Sequence, residues 1–145
     1  MTRTLLLTVT LASCLLIGCD VRKTDKIATH SQQDSVVLKY PTTVQLIDSL
    51  YDFGTAKEGE IVEYSYRFKN TGSNPLVVTN VSASCGCTVA DKPEAPVKPG
   101  EIGFIKVKFN SEGRPGEARK TITVTSNVKP SFPELVLKGT VSGKE

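Results

Sequence analysis

The sequence has no tryptophan, one histidine and four cysteines among its 145 residues. An antibody-type domain is excluded, because its core is built on a tryptophan packed against two widely separated cysteines. The only histidine, His30, lies before residues 36–145, so this larger part of the chain lacks the base of a Ser-His-Asp triad. The chain also lacks the GxxxxGK run of a phosphate-binding loop. We therefore expect no enzymatic activity and no cofactor.

Neither sign of charge dominates the chain, which has 18 Lys and Arg, 15 Asp and Glu, and a formal net charge of +3. The basic residues are interleaved with the acidic ones, whereas an electrostatic nucleic-acid binder gathers them into a patch or stripe. The hydrophobic fraction of 39% is too high and too evenly spread for a disordered chain. The composition predicts one globular domain that does not bind nucleic acid.

The amino-terminal segment has the pattern of an export signal. Arg3 is followed by an uncharged, largely apolar run over residues 5–18. This run is too short for a retained spanning helix, which needs about 20 residues. It ends in Leu16-Ile17-Gly18-Cys19, which resembles the lipobox of bacterial lipoproteins, where the cysteine is diacylated and becomes the new amino terminus. We expect a signal peptide over residues 1–18, lipidation of Cys19, and an acyl-chain anchor that holds the protein on a membrane of the cell envelope.

Residues 19–35 form a polar stretch of mixed charge with too few apolar residues for a buried face. We interpret this stretch as a flexible tether, which reaches about 20–25 Å as a random coil. His30 lies in the tether and receives no role. The folded domain is expected over residues 36–145.

The domain has the period-two alternation of β-strands. In residues 62–69, Val, Tyr, Tyr and Phe alternate with Glu, Ser, Arg and Lys. Similar short stretches are expected at residues 36–40, 43–47 and 76–84, and further ones are centred on residues 107, 123 and 136. About seven strands without an intervening amphipathic helix predict an all-β, immunoglobulin-like two-sheet sandwich after the signal peptide and tether. A small barrel is the structural alternative.

Several short phrases of the domain occur in a characteristic order. They are Tyr51-Asp52-Phe53-Gly54, Glu58-Gly59, Phe68-Lys69-Asn70-Thr71-Gly72, Pro75-Leu76, Ser84-Cys85-Gly86-Cys87-Thr88, Pro99-Gly100-Glu101, Ser126-Asn127, and the closing Leu135, Leu137 and Gly139. Together they resemble a bacterial domain-of-unknown-function family, number 1573, frequent in secreted lipoproteins of Bacteroidetes and similar to Hydin and major-sperm-protein modules. The resemblance implies an immunoglobulin-like fold, and related modules mostly act in binding or scaffolding.

Cys85 and Cys87 are the two cysteines expected to remain as thiols in the mature domain. On a regular strand, residues two apart lie on the same face with Cα atoms about 6.6 Å apart, near the upper limit for a disulfide. Gly86 is expected to allow a tight bend that brings the sulfurs together. An exported chain also meets oxidants, which favour pairing.

Alternatives to a local disulfide at Cys85 and Cys87 are two free thiols, a soft-metal site and a working redox pair. Zinc needs four ligands, and the domain has no histidine or third cysteine to complete the set. Linear copper(I) coordination by two thiolates needs only this pair.

The sequence as a whole favours a lipid-anchored, non-enzymatic module of the cell envelope that offers a β-sandwich surface to a protein or glycan partner. The alternative function is a thiol-based redox or copper-binding protein that uses Cys85 and Cys87.

Overall fold

The computed structural model describes residues 39–143. The predicted signal peptide, Cys19, His30 and the tether lie outside the described residues. Within them the chain forms eight strands and no helix: β1 (Val44–Leu46), β2 (Leu50–Lys57), β3 (Ile61–Asn70), β4 (Val78–Ala83), β5 (Thr88–Asp91), β6 (Ile102–Asn110), β7 (Gly116–Ser126) and β8 (Leu135–Ser142).

The strands form two four-stranded sheets. Sheet A has the order β1-β3-β6-β5, and sheet B has the order β2-β8-β7-β4. Neighbouring strands are antiparallel, except that β2 runs parallel to β8. This two-sheet architecture confirms the predicted immunoglobulin-like sandwich, and the barrel alternative is not formed.

The alternation predicted for β3 is confirmed by its burial. Val62, Tyr66 and Phe68 face the space between the sheets, whereas the charged residues between them are exposed. Strand β6 behaves in the same way, with Ile105 and Phe109 completely buried. Full burial of each such apolar side chain stabilises the fold by roughly 1.5–3 kcal/mol. The core therefore lies between the two sheets and is formed by the apolar side chains of their facing sides.

One close approach in this core requires glycine. A Cβ atom added to Gly103 of β6 would lie 2.8 Å from Phe68 Cε2 and 2.8 Å from Val97 Cγ2. The loop that carries Val97 therefore packs directly on the backbone of β6.

The structure differs from the sequence prediction in three places. Strand β2 was not predicted, because a bulge between Asp52 and Thr55, with Gly54 at φ 67°, interrupts its period-two pattern. Strand β5 was not predicted either, because it is only four residues long and its sequence, TVAD, places two apolar residues next to each other. The strand expected over residues 36–40 is wrong at Lys39 and Tyr40, which lie in a turn and a bend, and its other residues are outside the described part.

Two buried asparagines hold the loops at one end of the sandwich. Asn127 Oδ1 accepts a hydrogen bond from the Val77 amide at 2.9 Å, and its Nδ2 donates to the carbonyls of Tyr40 at 2.8 Å and Pro75 at 2.9 Å. Asn70 Nδ2 likewise donates to two loop carbonyls at 2.9 Å. These side chains replace backbone pairing where the strands end, so buried polar groups of the loops are satisfied.

The outermost strands of both sheets are short or irregular. In sheet A the edges are β1, with three residues, and β5, with four. In sheet B the edges are β2 and β4, and the register of each shifts once along its partner strand.

Candidate functional site

Cys85 and Cys87 lie in the turn that takes the chain from β4 in sheet B to β5 in sheet A. Their sulfurs are bonded in a disulfide, and their Cα atoms are 5.4 Å apart. This separation is shorter than the 6.6 Å or so of a flat strand, because the residues adopt a turn in which the Thr88 amide donates to the Cys85 carbonyl at 3.2 Å. Of the alternatives left open by the sequence, the structure contains the local disulfide.

The tight bend predicted at Gly86 is present, but Gly86 does not form it through a backbone conformation reserved for glycine. The glycines with positive φ are elsewhere in the described chain, and a Cβ atom added to Gly86 would have no atom within 4 Å. The turn therefore needs neither the left-handed region nor a missing side chain at this position.

Hydrogen bonds to both sheets fix the ends of the disulfide turn. The Ser84 amide donates to the Thr121 carbonyl of sheet B at 2.9 Å, and the Asn110 amide of sheet A donates to the Cys87 carbonyl at 2.9 Å. Thr88 is buried beside the disulfide, with its Oγ1 atom 3.6 Å from Cys85 Sγ and 3.9 Å from Cys87 Sγ. The turn is thus positioned by the backbone as well as by the covalent bond.

A surface depression of about 410 Å³ lies next to the disulfide. Its lining includes Cys87, the apolar side chains of Ile61 and Val89, and the charged side chains of Lys108, Glu112 and Arg114. Cys85 does not line this depression. The two sulfurs therefore differ in their surroundings, although both cysteines are partly buried.

The described residues contain no group of three or more His, Cys, Asp and Glu side chains that could hold a metal. Sulfurs bonded to each other offer no thiolate, so copper(I) coordination would require prior reduction of the disulfide. Lys92, which directly follows β5, is the basic residue nearest to the cysteines in the sequence. Its Nζ atom donates a hydrogen bond to the Thr79 carbonyl at 3.2 Å. The same part of the chain has no helix capable of crossing a membrane.

The outer face of sheet A is the second feature of functional interest. Four large apolar side chains on β3, β5 and β6 are about half exposed there: Ile61 (57%), Val89 (60%), Ile102 (50%) and Phe104 (47%). We call this surface the A face. On sheet B the outward positions of strand β7 carry exposed Thr123 and Thr125, and one large apolar side chain, Leu50 on the edge strand β2, is 50% exposed.

Ion pairs hold two basic side chains of the A face. Arg67 on β3 donates to both carboxylate oxygens of Asp48, with distances of 2.7 Å and 3.0 Å. This hydrogen bonding holds the pKa of Asp48 below its usual value. Lys108 on β6 lies 2.8 Å from Glu63 on β3, and that contact raises the pKa of Lys108. The paired Glu63 and Lys108 therefore lie toward the apolar end of the A face that holds Ile61 and Val89, while Ile102 and Phe104, beside Arg67, form the other end.

The sequence prediction did not identify the A face. In β6, Ile102 and Phe104 alternate in the opposite phase to the buried Ile105 and Val107. The outward positions of a half-buried strand are normally polar. Apolar residues at these positions were the signal that could have revealed this surface.

Comparison with solved structures supports the fold. A protein of unknown function from Porphyromonas gingivalis W83 is 18% identical with a TM-score of 0.60, and the match covers 69% of this chain and 47% of that chain. The chain therefore spans about half the length of this structural relative. The ASH/PapD-like domain 7 of human CEP192 is 15% identical with a TM-score of 0.53, covering 72% of this chain and 89% of that domain.

The VesB protease of Vibrio cholerae also contains a similar region, at 12% identity and a TM-score of 0.52, covering 76% of this chain and 34% of the protease. At these identities the likeness concerns the fold alone.

Among curated proteins, none matches the chain. The model of a family described as protein of unknown function (DUF1573) matches residues 44–141, as the ordered phrases of the sequence predicted. Since this match covers more than half of the sequence, the chain belongs to the DUF1573 family.

Proposed function

We propose that this protein is a lipid-anchored, non-enzymatic module of the bacterial cell envelope that binds a protein partner through the A face. The lipobox-like end of residues 1–18 and Cys19 support the anchor. Residues 19–35 serve as a tether that holds the sandwich clear of the lipid headgroups. The immunoglobulin-like fold and the membership of a family of unknown function are compatible with binding and assign no reaction.

The observation that carries this proposal is the exposure of apolar side chains on the A face. An antiparallel sheet that faces water normally presents polar residues, yet Ile102 and Phe104 are 50% and 47% exposed on β6. Arg67, on the neighbouring strand, is paired in register with Phe104. Aromatic side chains and arginine are enriched at the centres of protein interfaces, where a few such residues supply most of the binding energy.

The chemistry of the A face favours a protein over a glycan or a nucleic acid. A small sugar ligand would be held in a concave site by converging polar groups, whereas the apolar side chains here stand on the surface of a sheet. Nucleic-acid binding would need a basic stripe, and Arg67 and Lys108 are each paired with a carboxylate.

Site-specific crosslinking in the bacterium that produces the protein tests the proposal. A photoreactive phenylalanine analogue placed at position 104 of the full-length chain should give a discrete crosslinked protein, and one at position 123 on sheet B should not. Ile102→Glu should abolish the product, whereas the matched change Thr125→Glu on sheet B should leave it unchanged. Identical products from both positions, or none from position 104, would refute binding through the A face.

A further inference from the structure

The disulfide between Cys85 and Cys87 joins no separate elements of the fold. The two residues are two positions apart, so the bond closes a ring within one turn. Hydrogen bonds from Ser84 to sheet B and from Asn110 to Cys87 already connect this turn to both sheets. Because a disulfide stabilises mainly by restricting long loops in the unfolded chain, this one contributes little to stability. Opening the bond therefore leaves the sandwich folded.

The depression next to the turn gives an attacking group access to one of the two cysteines. It is lined by Cys87 and not by Cys85. Its walls carry charges of both signs, from Arg114, Glu112 and the Lys108 ammonium that is paired with Glu63, and Ile61 and Val89 supply apolar contacts. Of the two cysteines, Cys87 is the one that a thiolate in this depression would contact, although its side chain also packs against the core.

Thr88 is placed to assist the sulfur that leaves. Its Oγ1 atom is 3.6 Å from Cys85 Sγ and farther, 3.9 Å, from Cys87 Sγ. A disulfide sulfur carries no hydrogen, so the hydroxyl group is the donor in both contacts. Hydrogen bonds to an ionised acceptor are stronger than those to a neutral one, so this contact tightens when Cys85 becomes a thiolate.

We propose that the Cys85–Cys87 disulfide is a thiol-disulfide exchange site that passes its disulfide to a dithiol in an exported polypeptide. The inference goes beyond binding through the A face. The depression shares Ile61 and Val89 with that face, but exchange at the sulfurs does not require a partner bound to Ile102 and Phe104. One thiolate of the polypeptide attacks Cys87 Sγ, the bond to Cys85 breaks, and its electron pair leaves on Cys85 as a thiolate, which then takes up a proton.

In the second step the other thiolate of the polypeptide attacks the polypeptide sulfur of the mixed disulfide. The bond to Cys87 breaks and Cys87 leaves as a thiolate, which is protonated in turn. The polypeptide loses two electrons and two protons and gains a disulfide, while Cys85 and Cys87 gain those electrons and protons. The transfer is stoichiometric, and the co-reactant is the polypeptide dithiol itself.

The transfer is tested with the purified full-length protein in detergent and a synthetic peptide that contains two cysteines. Mixing equal amounts should convert the peptide to its disulfide and leave two new thiols on the protein, counted by alkylation and mass spectrometry. The reaction should be at least about tenfold faster than with the same concentration of oxidised glutathione, since the depression holds the attacking thiolate beside Cys87 and Thr88 donates a hydrogen bond to the leaving sulfur of Cys85. A peptide that stays reduced, or that reacts no faster than with oxidised glutathione, would overturn the proposal.

Single-cysteine variants test which sulfur is attacked, because the attacked sulfur is also the one that forms the mixed disulfide in the reverse direction. Cys85→Ser leaves Cys87 free, and Cys87→Ser leaves Cys85 free. Oxidised glutathione should modify Cys87 in the first variant several-fold faster than Cys85 in the second, at a pH where both thiols are ionised. Faster modification of Cys85 would contradict attack through the depression.

Thr88 is a positioning residue, and its test separates chemistry from folding. Thr88→Val keeps the shape of the side chain and removes the hydroxyl group, so transfer to the peptide should slow by about threefold to tenfold. Thr88→Ser should restore the rate, and the matched change Thr123→Val on sheet B should not alter it. An unchanged rate in Thr88→Val, with an unchanged circular dichroism spectrum, would remove Thr88 from the mechanism.

Discussion

Replacing Asn127 by alanine should destabilise the domain strongly, although Asn127 lies in a loop, where most substitutions have small effects. The side chain is 3% exposed and makes three hydrogen bonds that connect the end of β7 to two other loops. Its loss leaves the buried Val77 amide without a partner, at a cost of about 1–3 kcal/mol. The two carbonyl groups regain water in part and add about 0.5–1 kcal/mol each. The sum is about 2–5 kcal/mol, against a typical total stability of about 5–15 kcal/mol.

Urea unfolding followed by circular dichroism measures this effect. With a slope near 1 kcal/mol per molar for a domain of this size, the midpoint should fall by about 2 M or more. Asn80→Ala is the matched control, because Asn80 is exposed on β4 and a surface change of this kind stays within about 0.5 kcal/mol. If Asn127→Ala unfolds within that margin of the wild type, the hydrogen-bond network does not hold the loops.

Three other predictions follow from the structure and the sequence. The double change Cys85→Ala and Cys87→Ala should lower the free energy of unfolding by no more than about 1.6 kcal/mol in a urea titration, because the ring spans three residues; a loss of cooperative folding would contradict this. Gly103→Ala should destabilise the domain by about 1–3 kcal/mol through overpacking, whereas Gly86→Ala should unfold at nearly the same urea concentration as the wild type and keep its disulfide. Cys19→Ala should abolish incorporation of labelled fatty acid and release the protein from the membrane fraction, and continued labelling would show that another residue is acylated.

The sequence predicted the fold where a strand has one face in the core and one in water. Strand β3 is the clearest example, because its apolar and charged residues alternate without interruption. Strand β2 was missed because its bulge moves Ala56 into the core out of phase with Tyr51 and Phe53. Local patterns report the phase of a regular strand, and they do not report a register shift that is set by a distant partner.

The candidate site was predicted only in its covalent part. Cys85 and Cys87 are only two positions apart in the sequence, so their pairing could be considered without a fold. It was one of the alternatives that the sequence left open. The depression beside it brings together Ile61, Val89 and Arg114 from separate parts of the chain. Such a surface depends on the order of the strands in sheet A, which the sequence alone did not specify.

The four edge strands have a consequence for crowding. A long, regular edge invites another copy to add its own strand, and natural sheets guard against this with brevity and bulges. Here β1 and β5 offer three and four residues, and β2 and β4 each change register along their length. A second copy therefore finds no long, regular edge on which to extend either sheet, even where the proposed anchor confines copies to the plane of a membrane.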